Sequence, residues 1–506
     1  MKLALPIAPE HERKLILLFC AIAALRILIF SAAFPFFHNV DEQAHVDLVM
    51  KYARGEVPRD LGHYSSESAH YFSLYGTPEY FRMPEQSNTG RFPPPKWKLP
   101  AEQREELINR ISAWWQANQN HESGEPPLYY AMAGLWLDLG RVFGMTGGWL
   151  LYWIRFLNVV AGAVLVWVGF VAAKLVFPEG QFIRVSVPLL LAIWPQTTFY
   201  SIASDSLSPI CFGIAFIGLL KILHAERPRL PVAMWTGLAL AASCLAKTTN
   251  IALLFVVGLV LIFKIINFRG SKTVPRLLAS FAVLAASTAL PVALWFAWNL
   301  HTFGDLTGTE SKVELLGWTR KPLGDWFSHP IFTFHGVGEF WPELIASSWR
   351  GEFIWHGVRL ASPVTDGFYW ISSTLAILLA AICLVWYPAK LTALQRRELW
   401  LALSSFAALV LFQVALSIAF DFGPCVYPSR EHPYFTSGRL LSAAAVPFFL
   451  LYSWALHCVL SWIPRIWPRI MLFGGIVLFI AISQCVLNWP AFSSRYNFFH
   501  LHQALS

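Results

Sequence analysis

The chain has 506 residues, 56% hydrophobic and 13% charged, about half the charged share of an ordinary soluble domain. That balance excludes a soluble globular protein, and the net charge of +8 follows the connections between apolar runs, so it reads as an orientation signal and not as a nucleic-acid footprint. Six of the seven cysteines lie in apolar windows and only Cys425 in a polar loop, which leaves no loop-to-loop disulfide framework.

A bilayer core demands roughly 20 apolar residues per helix. The first such run, residues 15–36, follows Lys2, Arg13 and Lys14. It is too long for a cleaved signal and lacks the small-residue exit, so it is expected to remain as a span. A polar stretch, residues 37–126, comes next. Ten later windows follow at 150–175, 185–203, 206–223, 230–246, 250–267, 277–298, 368–387, 399–420, 439–460 and 470–488. Neither the alternation of a β-barrel nor a repeat of about 20 to 50 residues is present. The expected fold is an all-α polytopic membrane protein of about 11 transmembrane helices with large extracytoplasmic loops.

Every second connection is short and basic: Lys174 and Arg184; Arg227 and Arg229; Lys264, Arg269, Lys272 and Arg276; Lys390, Arg396 and Arg397; Arg465 and Arg469. The positive-inside rule places these five and the N-terminus in the cytoplasm, with the C-terminus outside. Residues 127–143 contain Asp138 and Arg141. A crossing there would oppose the basic loops, so this segment reads as an interfacial helix. The acids then sort by side: Glu10, Glu12, Glu179, Glu226 and Glu398 inside, the others outside or at the outer edge. Three outer loops, 37–149, 299–367 and 421–438, have room for a site and are expected to form one extracytoplasmic cap over a helical bundle. The organisation expected is an N-terminal catalytic transmembrane module (1–298, carrying loop 37–149), a second extracytoplasmic loop (299–367) and a C-terminal transmembrane module (368–506).

The first outer loop opens Asn39-Val-Asp-Glu-Gln-Ala-His45. Asn39 with Glu42 three residues on resembles a capping box, and Gly55 with Pro58 forms a stop, predicting a helix of about four turns. Asp41 and His45, four apart, share a face; the plain alternative is that Asp41 only favours the helix dipole. His121-Glu-Ser-Gly-Glu-Pro-Pro-Leu-Tyr-Tyr130 follows, with Tyr129 and Tyr130 suited to the headgroup belt. His121 and Glu122 lack the compact spacing of a metal motif such as His-Glu-x-x-His, so no metal is assigned, although a divalent ion would find ligands there. Arg155, Asp205 and Lys247 fall at the outer interface, where an ionisable group is a site hypothesis and snorkelling is the plain alternative for Arg155 and Lys247. Arg26, mid-span in the first helix, is expected to pair with an outer carboxylate or a lipid phosphate.

In order and spacing these features resemble the GT-C superfamily of membrane glycosyltransferases that use polyprenyl-phosphate sugars, which includes protein O-mannosyltransferases and lipid A aminoarabinose transferases. The resembling elements are Asp41-Glu42 after the first span, the helix ending Ala53-Arg-Gly-Glu-Val-Pro58, the Pro126-Pro127-Leu-Tyr-Tyr130 helix, Arg155 opening the next span, and Asp205 past an outer span end. They cover about residues 15–250. Glu343-Leu-Ile-Ala-Ser-Ser-Trp-Arg-Gly-Glu-Phe-Ile-Trp355 and Gly438-Arg439 look like a bacterial branch known as predicted membrane proteins. One departure is the first outer loop, longer than in the aminoarabinose transferases.

The resemblance implies an inverting transferase in the bacterial inner membrane, acting on the outer face, with a lipid-linked sugar donor and a glycan, lipid or protein acceptor of the cell envelope. Asp41 would be the general base, with Glu42 and Asp205 in support. By position, Arg155, Lys247 and Arg439 are the cations for the departing phosphate. His45, His121, Glu122, Glu125, Tyr129 and Tyr130 would line the substrate loop. A transporter or flippase is the rival class, for which charges near the bilayer midplane would be expected; a structural assembly subunit would leave Asp205 and Lys247 unexplained.

Overall fold

In the computed structural model the described residues are 9–87, 89–267, 274–386 and 391–499. Lys2, Arg269, Lys272 and Lys390, read above as orientation charges, lie outside them. The helices run α1 (Pro9–Ala33), then α2 (Glu42–Ala53), α3 (Ser66–Tyr75), α4 (Ala101–Gln116) and α5 (Leu128–Val142) in the first loop. Next come α6 (Gly147–Val176), α7 (Gln181–Ile193), α8 (Ser208–His224), α9 (Leu230–Ala246), α10 (Ala252–Asn267) and α11 (Val274–Thr302). The second loop carries α12 (Glu310–Leu315) and α13 (Phe334–Arg350), and the chain closes with α14 (Pro363–Trp386), α15 (Ala393–Ala419), α16 (Ala445–Trp462), α17 (Ile466–Leu487) and α18 (Trp489–Ser493). Two short antiparallel pairs, residues 319–320 with 420–421 and 354–355 with 358–359, pin loop segments together.

Among the described residues nine helices are long and apolar enough to cross a membrane, and α7 and α9 are shorter apolar helices. Together they fall on the eleven windows predicted from sequence, and the chain is a multi-pass α-helical membrane protein.

The 185–203 window changes form along its length. Its helix ends at Ile193, and a 3₁₀ turn follows over Thr197–Tyr200. Pro195 is the cause: it biases Trp194 out of the helical region, and Trp194 sits at φ −59°, ψ 116°. The break frees carbonyls, and Arg26 takes one of them, donating from Nε to the Ala192 oxygen at 2.9 Å, while its Nη1 meets the Tyr200 hydroxyl. Arg26 therefore caps a broken helix. The expected partner, a carboxylate or lipid phosphate, is replaced by groups of the protein.

Lipid tails are as apolar as the helix sides, so helix association within a bilayer rests on close packing. Gly237 shows this for α9 and α11: a Cβ there would lie 2.5 Å from the Leu284 carbonyl oxygen. A second apolar core sits in the cap built by the first loop's helices, where Val46, Val49 and Met50 of α2 meet Tyr130 and Leu137 of α5 and Leu151 of α6. Helix α5 has 15 residues, about 22 Å, short of a full crossing. Its inner face packs on α2 while Leu135, Val142 and Phe143 stay exposed, the pattern of a helix lying in an interface. Asp138 and Arg141 pair with each other at 2.9 Å, and Arg141 reaches Glu67 of α3.

Candidate functional site

Asp41 and Glu42 are neighbours in sequence whose carboxylates go opposite ways. The expected capping box is not formed: Asn39 donates to Ser201 Oγ at 2.7 Å, and the helix starts at Glu42 behind an Asp41 with φ 65°. Left-handed backbone is tolerated by Asp better than by most residues. It leaves the Asp41 side chain without a capping bond and turned toward Arg439 and His121 in the loop cap. The stop does form at Gly55, φ 74°, whose N–H bonds to the Tyr52 carbonyl.

Glu42 turns inward instead. It accepts N–H groups from Phe37 at 2.8 Å and Ile202 at 3.0 Å and holds Arg155 through both oxygens at 2.9 Å. Arg155 also donates to the carbonyls of Ser31, Phe34 and Pro35 at the end of α1. All five guanidinium N–H groups are thereby engaged, and both residues are about 1% exposed. This pair is an anchor tying α1, α2 and α6 together. It offers no donor to a phosphate, in contrast to the expectation for Arg155.

The other predicted residues converge. Asp41 Oδ2 lies 2.6 Å from Arg439 Nη2, and Oδ1 lies 3.1 Å from His121 Nε2. His121 is 3.5 Å from Glu122, which takes Lys312 Nζ at 2.6 Å. Lys312 is 3.7 Å from Glu125, whose other oxygen is 3.1 Å from Lys247. On the far side Arg439 approaches Glu352 at 3.5 Å and Asp205 at 3.9 Å. A continuous chain of alternating charge thus crosses the cap, drawing on the loop after α1, the entry to α5, the break before α8, the α9 to α10 connection, α12 and the turn before α16. Behind it His45 Nδ1 meets the Tyr130 hydroxyl at 2.7 Å, with Tyr129 buried beside Tyr130.

The electrostatics follow from burial and pairing. Burial alone would raise the Asp41 carboxyl, but Arg439, the His121 hydrogen bond and Lys312 hold it well below its usual range. Burial disfavours a charged His121, yet Asp41 and Glu122 lift its pKa above 6.5. Glu122 is lowered because Lys312 and Lys247 outweigh its burial, whereas for Glu125 burial prevails and the pKa rises. Lys247, buried but facing Glu125, Asp205 and Glu122, is raised. Burial brings His45 down to about 4, so its ring is neutral. Asp205 Oδ2, Glu122 Oε2, Glu352 Oε1 and His45 Nε2 are buried and make no hydrogen bond among the described residues. Such unmet groups are costly unless a polar ligand or water meets them.

Lys312 and Glu352 were missed from sequence. Glu352 was visible only as part of the Trp-Arg-Gly-Glu string; Lys312 is one of several charges in its loop and carried no signal. Gly351 makes the Glu352 placement possible: at φ 83° a Cβ would lie 2.0 Å from Thr197 Oγ1, a position only glycine occupies comfortably. Asp41, His121 and Glu122 each offer a ligand atom within 4.8 Å of the others, a spacing a cation could use. Arg439 and Lys312 already neutralise two of these carboxylates, so the charge balance does not call for one.

One solved structure with a similar chain is ArnT from Cupriavidus metallidurans bound to undecaprenyl phosphate: 13% identity, a TM-score of 0.45, and coverage of 95% of this chain and 74% of that one. A likeness at that level assigns this chain neither a reaction nor a ligand. No curated protein matches the sequence. Residues 25–424 match the family described as Predicted membrane protein (DUF2142), and the chain belongs to that family.

Proposed function

We propose that this protein is an inverting glycosyltransferase that moves a hexosyl or pentosyl group from a polyprenyl-phosphate donor to an envelope glycan, lipid or protein at the outer face of the inner membrane. The observation that carries the reading is the Asp41 carboxylate held between Arg439 at 2.6 Å and His121 at 3.1 Å. It stands just past the first span, at the end of the bundle opposite the basic connections. A donor whose isoprenoid tail stays in the bilayer presents its sugar at that level.

In the proposed step the acceptor hydroxyl gives its proton to Asp41 while its oxygen forms the bond to the anomeric carbon. The bond from that carbon to the phosphate oxygen breaks, and the electron pair leaves on polyprenyl phosphate. Arg439 and Lys247 offset the charge on that phosphate. Gripped by Arg439, Asp41 is a weak base. A donor phosphate that draws Arg439 toward itself would strengthen it, so donor binding would prepare the base. Asp205 and Glu352 hold Arg439 from its other side, and His121 orients Asp41.

A transporter would place its charges along a path through the midplane; gathering of the cluster at one face supports the enzyme. The test is transfer from labelled polyprenyl-phosphate sugars in membranes with and without the gene. The reading predicts gene-dependent labelling of an envelope acceptor with release of polyprenyl phosphate. Gene-dependent movement of the intact lipid-linked sugar without transfer would replace it by the transporter.

A further inference from the structure

At the opposite end of the bundle, α10 and α15 pack so that a groove opens between them. It has a volume of about 450 Å³, with Val256, Leu259, Val260 and Phe263 on one wall and Trp400 and Ser404 on the other. From Ala393 to Ser404 it follows α15 for about 16 Å by helix rise. Leu259, Phe263 and Trp400 are exposed, so in a bilayer this slot faces lipid tails. Arg396 and Arg397 line its end. Arg397 stacks over the Phe263 ring at 5.2 Å and also borders an adjoining polar cavity of about 260 Å³ that His224, Glu226 and Lys264 enter.

The carboxylates nearby are accounted for in part: Glu398 is buried and taken by His224, and Glu226 is exposed at the cavity rim. Lys264 is spent on the carbonyls that end α8. Neither Arg396 nor Arg397 has an ion-pair partner among the described residues. Two guanidinium groups above an apolar slot match a phosphate headgroup above acyl chains, and basic pockets between spans at the basic face are where anionic lipids dock.

We propose that this groove binds an anionic phospholipid of the leaflet on the basic side, its phosphate on Arg396 and Arg397 and one acyl chain between α10 and α15. The site is separate from the outer cap and does not depend on the transferase reading. The purified full chain is titrated with phosphatidylglycerol or phosphatidylcholine in neutral detergent, and bound lipid is counted by native mass spectrometry. Phosphatidylglycerol is expected to bind preferentially, and the double variant Arg396→Gln/Arg397→Gln to lose roughly 30-fold in affinity. The double variant Arg13→Gln/Arg465→Gln removes the same charge from exposed positions on that face and is expected to keep binding. Ser404→Phe fills the slot without changing charge and is expected to lose it. Equal affinity for the two lipids, an equal loss in both arginine pairs, retention in Ser404→Phe, or full competition by inorganic phosphate at lipid concentration would each overturn the proposal.

Discussion

Asp41 and Glu42 differ in what their removal should do, because one backbone angle sends them to different jobs. The same contrast separates Lys247 from Arg155. Lys247→Met leaves Glu125, whose pKa is already raised by burial and which can protonate, so the fold should survive. A charge-assisted phosphate bond is worth about 1.5 to 3 kcal/mol, and donor affinity should fall roughly ten- to hundredfold; unchanged affinity in the purified variant removes Lys247 from the site. His121 supplies a pH test. Its folded pKa lies above 6.5, so its stabilising effect is fully present below that value and is lost as pH rises through the folded pKa. The unfolding temperature of the wild type should therefore drop as pH rises above 6.5, and His121→Gln should flatten that limb. Parallel profiles would show that Asp41 does not hold the ring charged. That Asp41, Asp205, Lys247 and Arg439 would lie near one another was legible because ionisable groups at the span ends away from the basic connections are few. The closed Arg155–Glu42 pair was not, since a span-edge arginine reads alike whether its partner is a ligand or a carboxylate, and Lys312 was hidden among the charges of its loop.

Elements meet at the Arg155–Glu42 anchor, where the end of α1, the start of α2 and α6 share one buried pair. Removing one member of a buried pair costs about 3 to 5 kcal/mol because the other is left uncompensated. Glu42→Gln and Arg155→Met should each lower the unfolding temperature sharply, whereas Lys247→Met should not; equal stability in all three would contradict the division between anchor and site. Gly351→Ala should also destabilise, by about 1 to 3 kcal/mol for the backbone conformation alone, and its detergent-purified form should lose stability even though no charge changes. The eleven apolar windows were readable from length and hydropathy. The break at Trp194 was readable only as far as Pro195 marks it; that Arg26 would satisfy the freed carbonyl needs a contact across helices, which no local pattern carries.

Across the whole molecule, the apolar pattern specified the eleven apolar helices and the basic connections predict their orientation. One cap was expected from the loops that share a side, whereas the pairings inside it were not, because they join residues as far apart as Val40 and Arg439 or Glu79 and Ser494. Orientation can be checked in a Cys425→Ser background: a membrane-impermeant thiol reagent applied from outside should label Arg110→Cys in α4 and spare Arg396→Cys. Labelling of both from the same side would contradict the topology. The central claim is that Asp41 takes the acceptor proton, and the direct measurement is transfer of labelled sugar from polyprenyl phosphate by purified wild type and Asp41→Asn. The variant keeps the shape of the side chain, and the account predicts retained donor binding and stability with transfer lowered by about 10² to 10⁴. Transfer at the wild-type rate would leave Asp41 as a helix-start residue alone and contradict the account.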